Sequence, residues 1–81
     1  MKKCINDLTT DELHILIGKN VARLRKEANI SQLQLSLDMG NKSVSLISSA
    51  EIYTNKRHFN ISHLHNIAKI LKVDICEFFE L

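Results

Sequence analysis

Two short helical patterns joined by a tight turn constrain the fold of this chain more than any other feature. The first pattern is ISQLQLS at residues 30–36, and the second is SVSLISSAE at residues 43–51, with Gly40 between them. Each opens on a serine that can cap a helix, and the second carries apolar side chains on one face and small polar ones on the other. A helix that buries one face on its neighbour and exposes the other suits a helix-turn-helix, whose second helix enters a major groove. The pattern therefore predicts a DNA-binding unit over about residues 31–51.

A longer helix is predicted before this unit. Thr9 and Glu12 have the spacing of a capping box, in which each side chain bonds the backbone N–H of the other residue. Apolar residues then recur at helical spacing, at Leu13, Ile17, Val21, Leu24 and Ala28. The spacing predicts a first helix over about residues 10–28, ended by Asn29, a residue type that tolerates the left-handed conformation.

The two short helices have similar start and stop signals. Ser31 with Gln34 repeats the capping pattern, and Gly40 is a typical stop, which predicts a second helix near residues 32–39. Ser43 is the predicted cap of the third helix. Its buried face is expected to consist of the apolar residues Leu46, Ile47 and Ala50.

The second half of the chain predicts one loop and two more helices. Residues 52–59 lose the helical period and are predicted to form a loop. Asn60 caps a fourth helix, and Asp74 with Glu77 opens a fifth that contains Phe78. The predicted fold is all-α: a single compact domain over residues 1–81, with five helices.

Composition excludes several other classes. The chain has 81 residues, a net charge of +2, no proline and two cysteines, Cys4 and Cys76. Two cysteines imply no disulfide framework and fit a reducing cytoplasm, and no apolar run is long enough for a membrane span. The histidines, His14, His58, His63 and His65, form no metal-ligand pattern and are expected at the surface. We expect no metal, cofactor, small-molecule ligand or enzymatic activity, because no nucleophile with a paired base and no phosphate loop can be identified.

The order and spacing of these motifs resemble the phage-repressor or Cro-like (XRE-type) DNA-binding family. The matching residues are Ile17-Gly18, Val21, Leu24-Arg25, Ile30-Ser31-Gln32, Leu35, Gly40, Ile47-Ser48, Glu51, Ile67-Ala68, Leu71-Lys72-Val73 and Phe78. The chain departs from the family pattern in three respects: a turn at residues 40–43 that is one residue longer, no glycine shortly after Glu51, and a long loop at residues 52–59. The resemblance implies a lambda-repressor-like fold in which the third helix is the recognition helix. It also implies an internal ion pair between Arg25 and Glu51.

Gln32 and the third helix are the first candidate contacts that the resemblance implies. Gln32, in the first turn of the second helix, is expected to contact a DNA phosphate, the alternative being a solvated side chain. The candidates for contact with base edges are Ser43, Val44, Ser45, Ser48 and Ser49. No Arg, Asn or Gln lies on that helix to make a bidentate base contact, so we expect weak reading of sequence, aided by Lys42 and DNA shape. The alternative is a serine-rich surface that packs against a protein partner.

Lys56 and Arg57, on the loop after the recognition helix, are candidates for phosphate neutralisation, with a solvated basic loop as the alternative. The predicted function is sequence-specific binding of double-stranded DNA by a small transcriptional regulator, a homodimer on a palindromic operator. In size it matches phage repressors, restriction-modification controller proteins and antitoxins of the family. Phe78, Phe79 and Leu81 of the fifth helix are predicted to form the dimer contact. The alternative function is a protein-interaction module that keeps the fold without binding DNA.

Overall fold

The computed structural model of the chain describes residues 4–81, which form four α-helices and no strand. Helix α1 spans Thr10–Glu27, α2 spans Gln32–Asp38, α3 spans Ser45–Glu51 and α4 spans Ile61–Leu71. Three short 3-10 segments lie at Ile5–Asp7, Thr54–Lys56 and Ile75–Phe79. The all-α class is confirmed, whereas the predicted fifth helix is wrong: that segment is a 3-10 turn of five residues.

The C-terminal 3-10 segment is held by α1 instead of by its own helical hydrogen bonds. The Asn20 side chain of α1 is buried, and its Nδ2 donates to the carbonyl oxygens of Phe78 at 2.9 Å and Glu80 at 2.8 Å. Phe78 has no exposed surface, because its ring fills the core of the domain. The predicted dimer contact through Phe78 is therefore wrong, since a ring inside one domain cannot also contact a partner.

Capping side chains begin α1 and α4 as the sequence predicts. Thr9 Oγ1 accepts from the Glu12 N–H at 3.1 Å, and Glu12 Oε1 accepts from the Thr9 N–H at 2.8 Å. The same reciprocal pair occurs between Asn60 and His63 at the start of α4. These bonds satisfy N–H groups that a helix start leaves without partners.

A single core fills the space between the four helices. Arg25, Glu51, Asn20 and Ser36 are the polar residues buried beside it. Its apolar members come from every helix, from the loop before α4 and from the C-terminal segment: Ile17, Val21, Leu24, Leu35, Ile47, Ala50, Phe59, Leu64, Ile67, Ala68, Leu71 and Phe78. Because α3 contributes to this core through only one face, its opposite face is left available at the surface.

The turn between α2 and α3 places the start of α3 one residue later than predicted. Gly40 has a φ of +82°, a left-handed conformation that ends α2 and that glycine adopts at little cost. Ser43 Oγ accepts from the Ser45 N–H at 3.0 Å, but Ser43 precedes the capping position, which Val44 occupies without a side-chain bond. The prediction that Ser43 is the helix cap was therefore wrong by one position, because the turn is one residue longer than the family pattern.

Candidate nucleic-acid interface

The seven residues of α3 divide into a buried face and an outward face. Ile47 and Ala50 are almost completely buried. Ser45 is exposed, and Ser48 and Ser49 are half-buried on the other side of the helix. Ser48 Oγ also lies 3.3 Å from the Ser45 carbonyl oxygen, to which it can donate a hydrogen bond. The outward face of α3 therefore presents hydroxyl groups and no charge.

A buried group of hydrogen bonds fixes the end of α3 against α1 and α2. We refer to Arg25, Glu51, Gln32 and the Ile30 carbonyl as the Glu51 network. Arg25 Nε donates to Glu51 Oε2 at 2.7 Å and Arg25 Nη2 donates to Glu51 Oε1 at 3.1 Å, which is the predicted ion pair in a two-bonded geometry. Arg25 Nη1 donates to the Ile30 carbonyl at 2.9 Å. Both charged side chains are almost completely buried. The hydrogen bonds between them therefore compensate for the hydration that each charge loses on folding.

Gln32 is a member of the Glu51 network. Neither sequence interpretation of this residue, as a phosphate contact or as a solvated side chain, included a bond to Glu51. Its Nε2 donates to Glu51 Oε1 at 2.8 Å, and the residue is half-buried. The amide nitrogen is thus already used, because the fold brings the first turn of α2 against the end of α3. Any contact of Gln32 with a phosphate would have to use its remaining N–H or its backbone.

Gly18 allows α1 and α3 to approach closely enough for the network to form. A Cβ atom at this position would lie 2.5 Å from the Ala50 carbonyl oxygen and 2.7 Å from the Glu51 carbonyl oxygen. Those distances are too short for a side chain, so glycine is required by the helix contact. The orientation of α3 is therefore set by backbone contact as well as by charge.

Lysines surround the solvent side of the Glu51 network. An open hollow there is lined by Lys19, Lys26, Arg23 and Ile52 together with members of the network. Arg23 is paired with Glu27 at 3.2 Å on the surface of α1. Lys19 and Lys26 have no acidic partner within ion-pair distance among residues 4–81. Positive charge is thus available beside Gln32, at positions that the sequence pattern did not single out.

Residues 52–59, the basic loop, leave α3 in an unusual backbone conformation. Tyr53, Asn55 and Lys56 all have positive φ angles, between 54° and 60°. Asparagine tolerates this region, but tyrosine and lysine adopt it at a cost. The side chains of Lys56 and Arg57 are exposed, and among residues 4–81 neither has an acidic partner within ion-pair distance.

A group of rings joins the basic loop to α1, and we refer to Asp11, His14, Tyr53 and His58 as the ring cluster. Tyr53 Oη donates to Asp11 Oδ1 at 2.6 Å. The His14 and His58 rings are stacked, with their centroids 3.9 Å apart, and the centroids of His14 and Tyr53 are 5.6 Å apart. Sequence reasoning missed this cluster, because it placed the histidines at the surface as unrelated residues. Helical spacing could not have indicated it, because Asp11 and Tyr53 are 42 positions apart in the sequence.

The surroundings of the cluster shift three pKa values. Burial lowers the pKa of His14 from its usual 6.5, His58 lowers it further, and Asp11 opposes both effects. Burial also lowers the pKa of His63, with a contribution from His58. The hydrogen bond to Asp11 raises the pKa of Tyr53. These directions favour the neutral forms of His14 and His63 in the folded protein.

The structure thus arranges the candidate residues in three groups along one stretch of chain. Lys42 and Ser43 are exposed in the turn before α3, and Val44, Ser45, Ser48 and Ser49 lie on or beside α3. Lys56 and Arg57 follow in the basic loop, while Gln32 is drawn into the Glu51 network. None of the described helices is both long enough and apolar enough to cross a membrane.

A family model described as helix-turn-helix matches residues 21–78, more than half of the chain. The matched range includes the Glu51 network, the whole of α3 and the basic loop. No curated protein and no solved structure gives a significant match.

Proposed function

The chain belongs to the XRE-type helix-turn-helix family, and on that premise we propose that it is a small transcriptional regulator that binds double-stranded DNA sequence-specifically. We further propose that it acts as a homodimer on a palindromic operator. In this arrangement α3 is the recognition helix, and two copies of it enter successive major grooves about 34 Å apart.

The observation that carries this proposal is the division of α3 into two faces. Ile47 and Ala50 are buried and Glu51 is fixed by Arg25, so the helix has a defined orientation. The outward face then presents Ser45 and its neighbouring hydroxyls, which can donate or accept at base edges. A recognition helix needs both properties, because contacts with bases require a rigid support.

Positive charge on either side of α3 supports contact with the DNA backbone. Lys42 precedes the helix, and Lys56 and Arg57 follow it, all three exposed. Lys19 and Lys26 add charge beside Gln32. Phosphate contacts of this kind position a protein on DNA but carry no sequence information directly.

We propose that the protein discriminates only modestly between base sequences. A bidentate side-chain pair contributes roughly 1–3 kcal/mol of discrimination, and α3 offers no Arg, Asn or Gln to make one. Serine hydroxyls and a contact between Val44 and a thymine methyl group would supply smaller terms. DNA shape and deformability would then provide part of the preference.

In vitro selection of bound duplexes tests the function directly. Selection should return a palindromic sequence with two half-sites one helical turn apart, and sedimentation with that duplex should give two chains per DNA. A set of selected sequences with no shared motif would contradict sequence-specific binding. A motif without two-fold symmetry would contradict the homodimer and leave DNA binding in place.

A protein-interaction module remains the second candidate function, and exposed leucines on α2 favour it. Leu33 and Leu37 lie one turn apart on the same side of the helix and are 58% and 55% exposed. If the chain shows no preference for any duplex and Leu33→Ser abolishes binding to a protein partner, this second function replaces the first.

A further inference from the structure

We propose that the ring cluster of Asp11, His14, Tyr53 and His58 is a proton-sensitive positioning device. While His14 and His58 are neutral it holds the basic loop against α1, and it releases the loop when they are protonated. The device would control where Lys56 and Arg57 lie. Its effect on DNA rests on the proposed function, whereas its effect on the loop does not.

The first reason is that the conformation of the loop needs an external support. Tyr53 and Lys56 have left-handed backbone angles that cost energy in residues other than glycine and asparagine. Within the loop, the backbone bonds from the Lys56 N–H to the Tyr53 carbonyl and from the Arg57 N–H to the Thr54 carbonyl measure 3.2 Å and 3.0 Å. Buried Phe59 anchors the end of the loop, and the contacts of Tyr53 and His58 with α1 add support on either side of Asn55 and Lys56.

The second reason is that the stacked histidines cannot both become charged without cost. Two imidazolium rings with centroids 3.9 Å apart would repel each other. His14 Nδ1 is also buried and has no hydrogen-bond partner among the described residues. Protonation would place an N–H group on that nitrogen as well as on Nε2, and a buried donor without an acceptor is unfavourable.

His58 connects this chemistry to the basic loop. Its Nδ1 lies 2.9 Å from the Lys56 carbonyl oxygen, so in the neutral ring this nitrogen carries the proton and donates. Protonation therefore adds a charge at Nε2 and leaves the bond to Lys56 in place. The loop would move with His58 as the stack with His14 opens.

The groups around the two rings determine the direction of the effect. Asp11 on α1 favours a charged His14, whereas burial and His58 disfavour it, and the balance lowers the pKa of His14. His63 on α4 interacts with His58, and its own pKa is lowered too. A histidine with a lowered pKa stabilises the folded arrangement above about pH 6.5 and loses that contribution as the pH falls. The loop should therefore be held at neutral pH and released in mild acid.

Nitrogen-15 relaxation of the Lys56 and Arg57 amides tests the inference in the whole chain. At about pH 7.5 we expect order parameters near 0.85, and at about pH 5 we expect values below about 0.6. His14→Phe keeps a ring but takes no proton, so its loop should be ordered at both values. His65→Phe, at an exposed histidine of α4 outside the cluster, should behave as the wild type.

Two results would overturn the proposal: equal loop order at both pH values in the wild type, or an acid-induced loss of order that persists in His14→Phe. If His14→Phe does not fold, His58→Phe replaces it in the same comparison. A proton NMR titration of the wild type adds a measurement that needs no variant. It should give His14 a midpoint below 6.5.

Binding to a mixed-sequence DNA duplex at fixed salt extends the test to function. Wild-type affinity should fall several-fold between the two pH values, and that of His14→Phe should not. A rise in affinity at low pH would overturn the inference, because it would mean that the charged histidines contact phosphate directly. Absence of binding at both pH values would count against the proposed function alone, since the relaxation experiment judges the loop independently.

Discussion

The end of α3 and the loop that follows it are positioned by different kinds of interaction. Glu51 is buried and receives three hydrogen bonds, two from Arg25 and one from Gln32. Two residues further on, Tyr53 begins an exposed loop with strained backbone angles, attached to α1 by a hydrogen bond and ring contacts. Removal of one buried partner leaves the other charge uncompensated and lowers the free energy of unfolding strongly, whereas loss of a surface contact lowers it only slightly.

Under the proposed function, this difference separates the residues that stabilise the fold from those expected to contact DNA. The orientation of α3 is part of the fold, because the groups that fix it are desolvated together with the core. The contacts that position the basic loop contribute less to the free energy of unfolding, so the loop can move without unfolding of the domain. Substitutions in the two regions should therefore have separate effects.

The largest effect is expected for Arg25→Ala. This change strands the Glu51 carboxylate in a buried site and should lower the free energy of unfolding by about 3–5 kcal/mol. The matched control is Arg23→Ala, which removes an exposed pair with Glu27 and should cost less than about 1 kcal/mol. Urea denaturation measures both. Equal midpoints for the two variants would mean that the buried and exposed pairs do not differ in energy.

Gln32→Ala should have the next largest effect. It removes a hydrogen bond to the charged Glu51 and should cost about 1.5 kcal/mol of unfolding free energy. Gln34→Ala is the control, because the Gln34 amide bonds exposed Asp38 within α2, an interaction that contributes about 0.2–0.5 kcal/mol. Since glutamine carries no charge, the salt dependence of DNA binding should be unchanged. Weaker binding to all duplexes at fixed salt, with unaltered stability, would assign Gln32 to DNA instead of to the network.

Lys56→Ala and Arg57→Ala should have the opposite effects to Gln32→Ala: an unchanged stability and an altered salt dependence of DNA binding. Each should change stability by less than about 0.5 kcal/mol, because both side chains are exposed. Each should flatten the slope of log affinity against log salt by about 0.9, through the loss of one phosphate contact, and weaken all duplexes alike. Lys69→Ala, at an exposed lysine of α4, is the control and should leave the slope unaltered. Loop variants that keep the wild-type slope would exclude phosphate contact by this loop.

The smallest effects are expected on the outward face of α3. Ser45→Ala or Ser49→Ala should leave both stability and the salt slope unchanged. Either change should relax the preference at one or two base pairs per half-site by about 1 kcal/mol, because a single hydroxyl makes no bidentate contact. Titrations with matched and scrambled duplexes measure this preference. An equal loss of affinity for both duplexes would mean that the serines contact the DNA backbone instead of the bases.

Local patterns predicted most of the fold correctly. The capping residues Thr9 and Asn60 begin their helices as expected. Asp74 and Glu77 open the last segment as expected, with Glu77 Oε2 accepting from the Asp74 N–H and Asp74 Oδ1 accepting from the Cys76 N–H. The segment after Asp74 was nevertheless predicted as an α-helix, and it is a 3-10 turn. A run of five residues makes few helical hydrogen bonds of its own, so the contacts of Asn20 and Phe78 with the domain decide its form.

The candidate site was predicted less completely, for a related reason. Arg25 and Glu51 were paired through a resemblance and through their position beside apolar helix faces. The bond from Gln32 to Glu51 was not predicted, because a sequence pattern does not reveal which helix end packs against another. The phosphate contact of Gln32 stays a prediction. Phe78 was assigned to a dimer contact for the same reason, although its ring is inside the core.

The sequence by itself determined where α1, α2 and α4 begin, which faces are apolar and which family the chain resembles. These properties depend on residues within a turn or two of one another, and caps and helical periodicity record them directly. Only the tertiary structure decided which polar side chains meet. Arg25 and Glu51 are 26 positions apart, and Asp11 and Tyr53 are 42 positions apart. Pairs at such separations form only when packed helices bring them together, so the Glu51 network and the ring cluster follow from the assembled core.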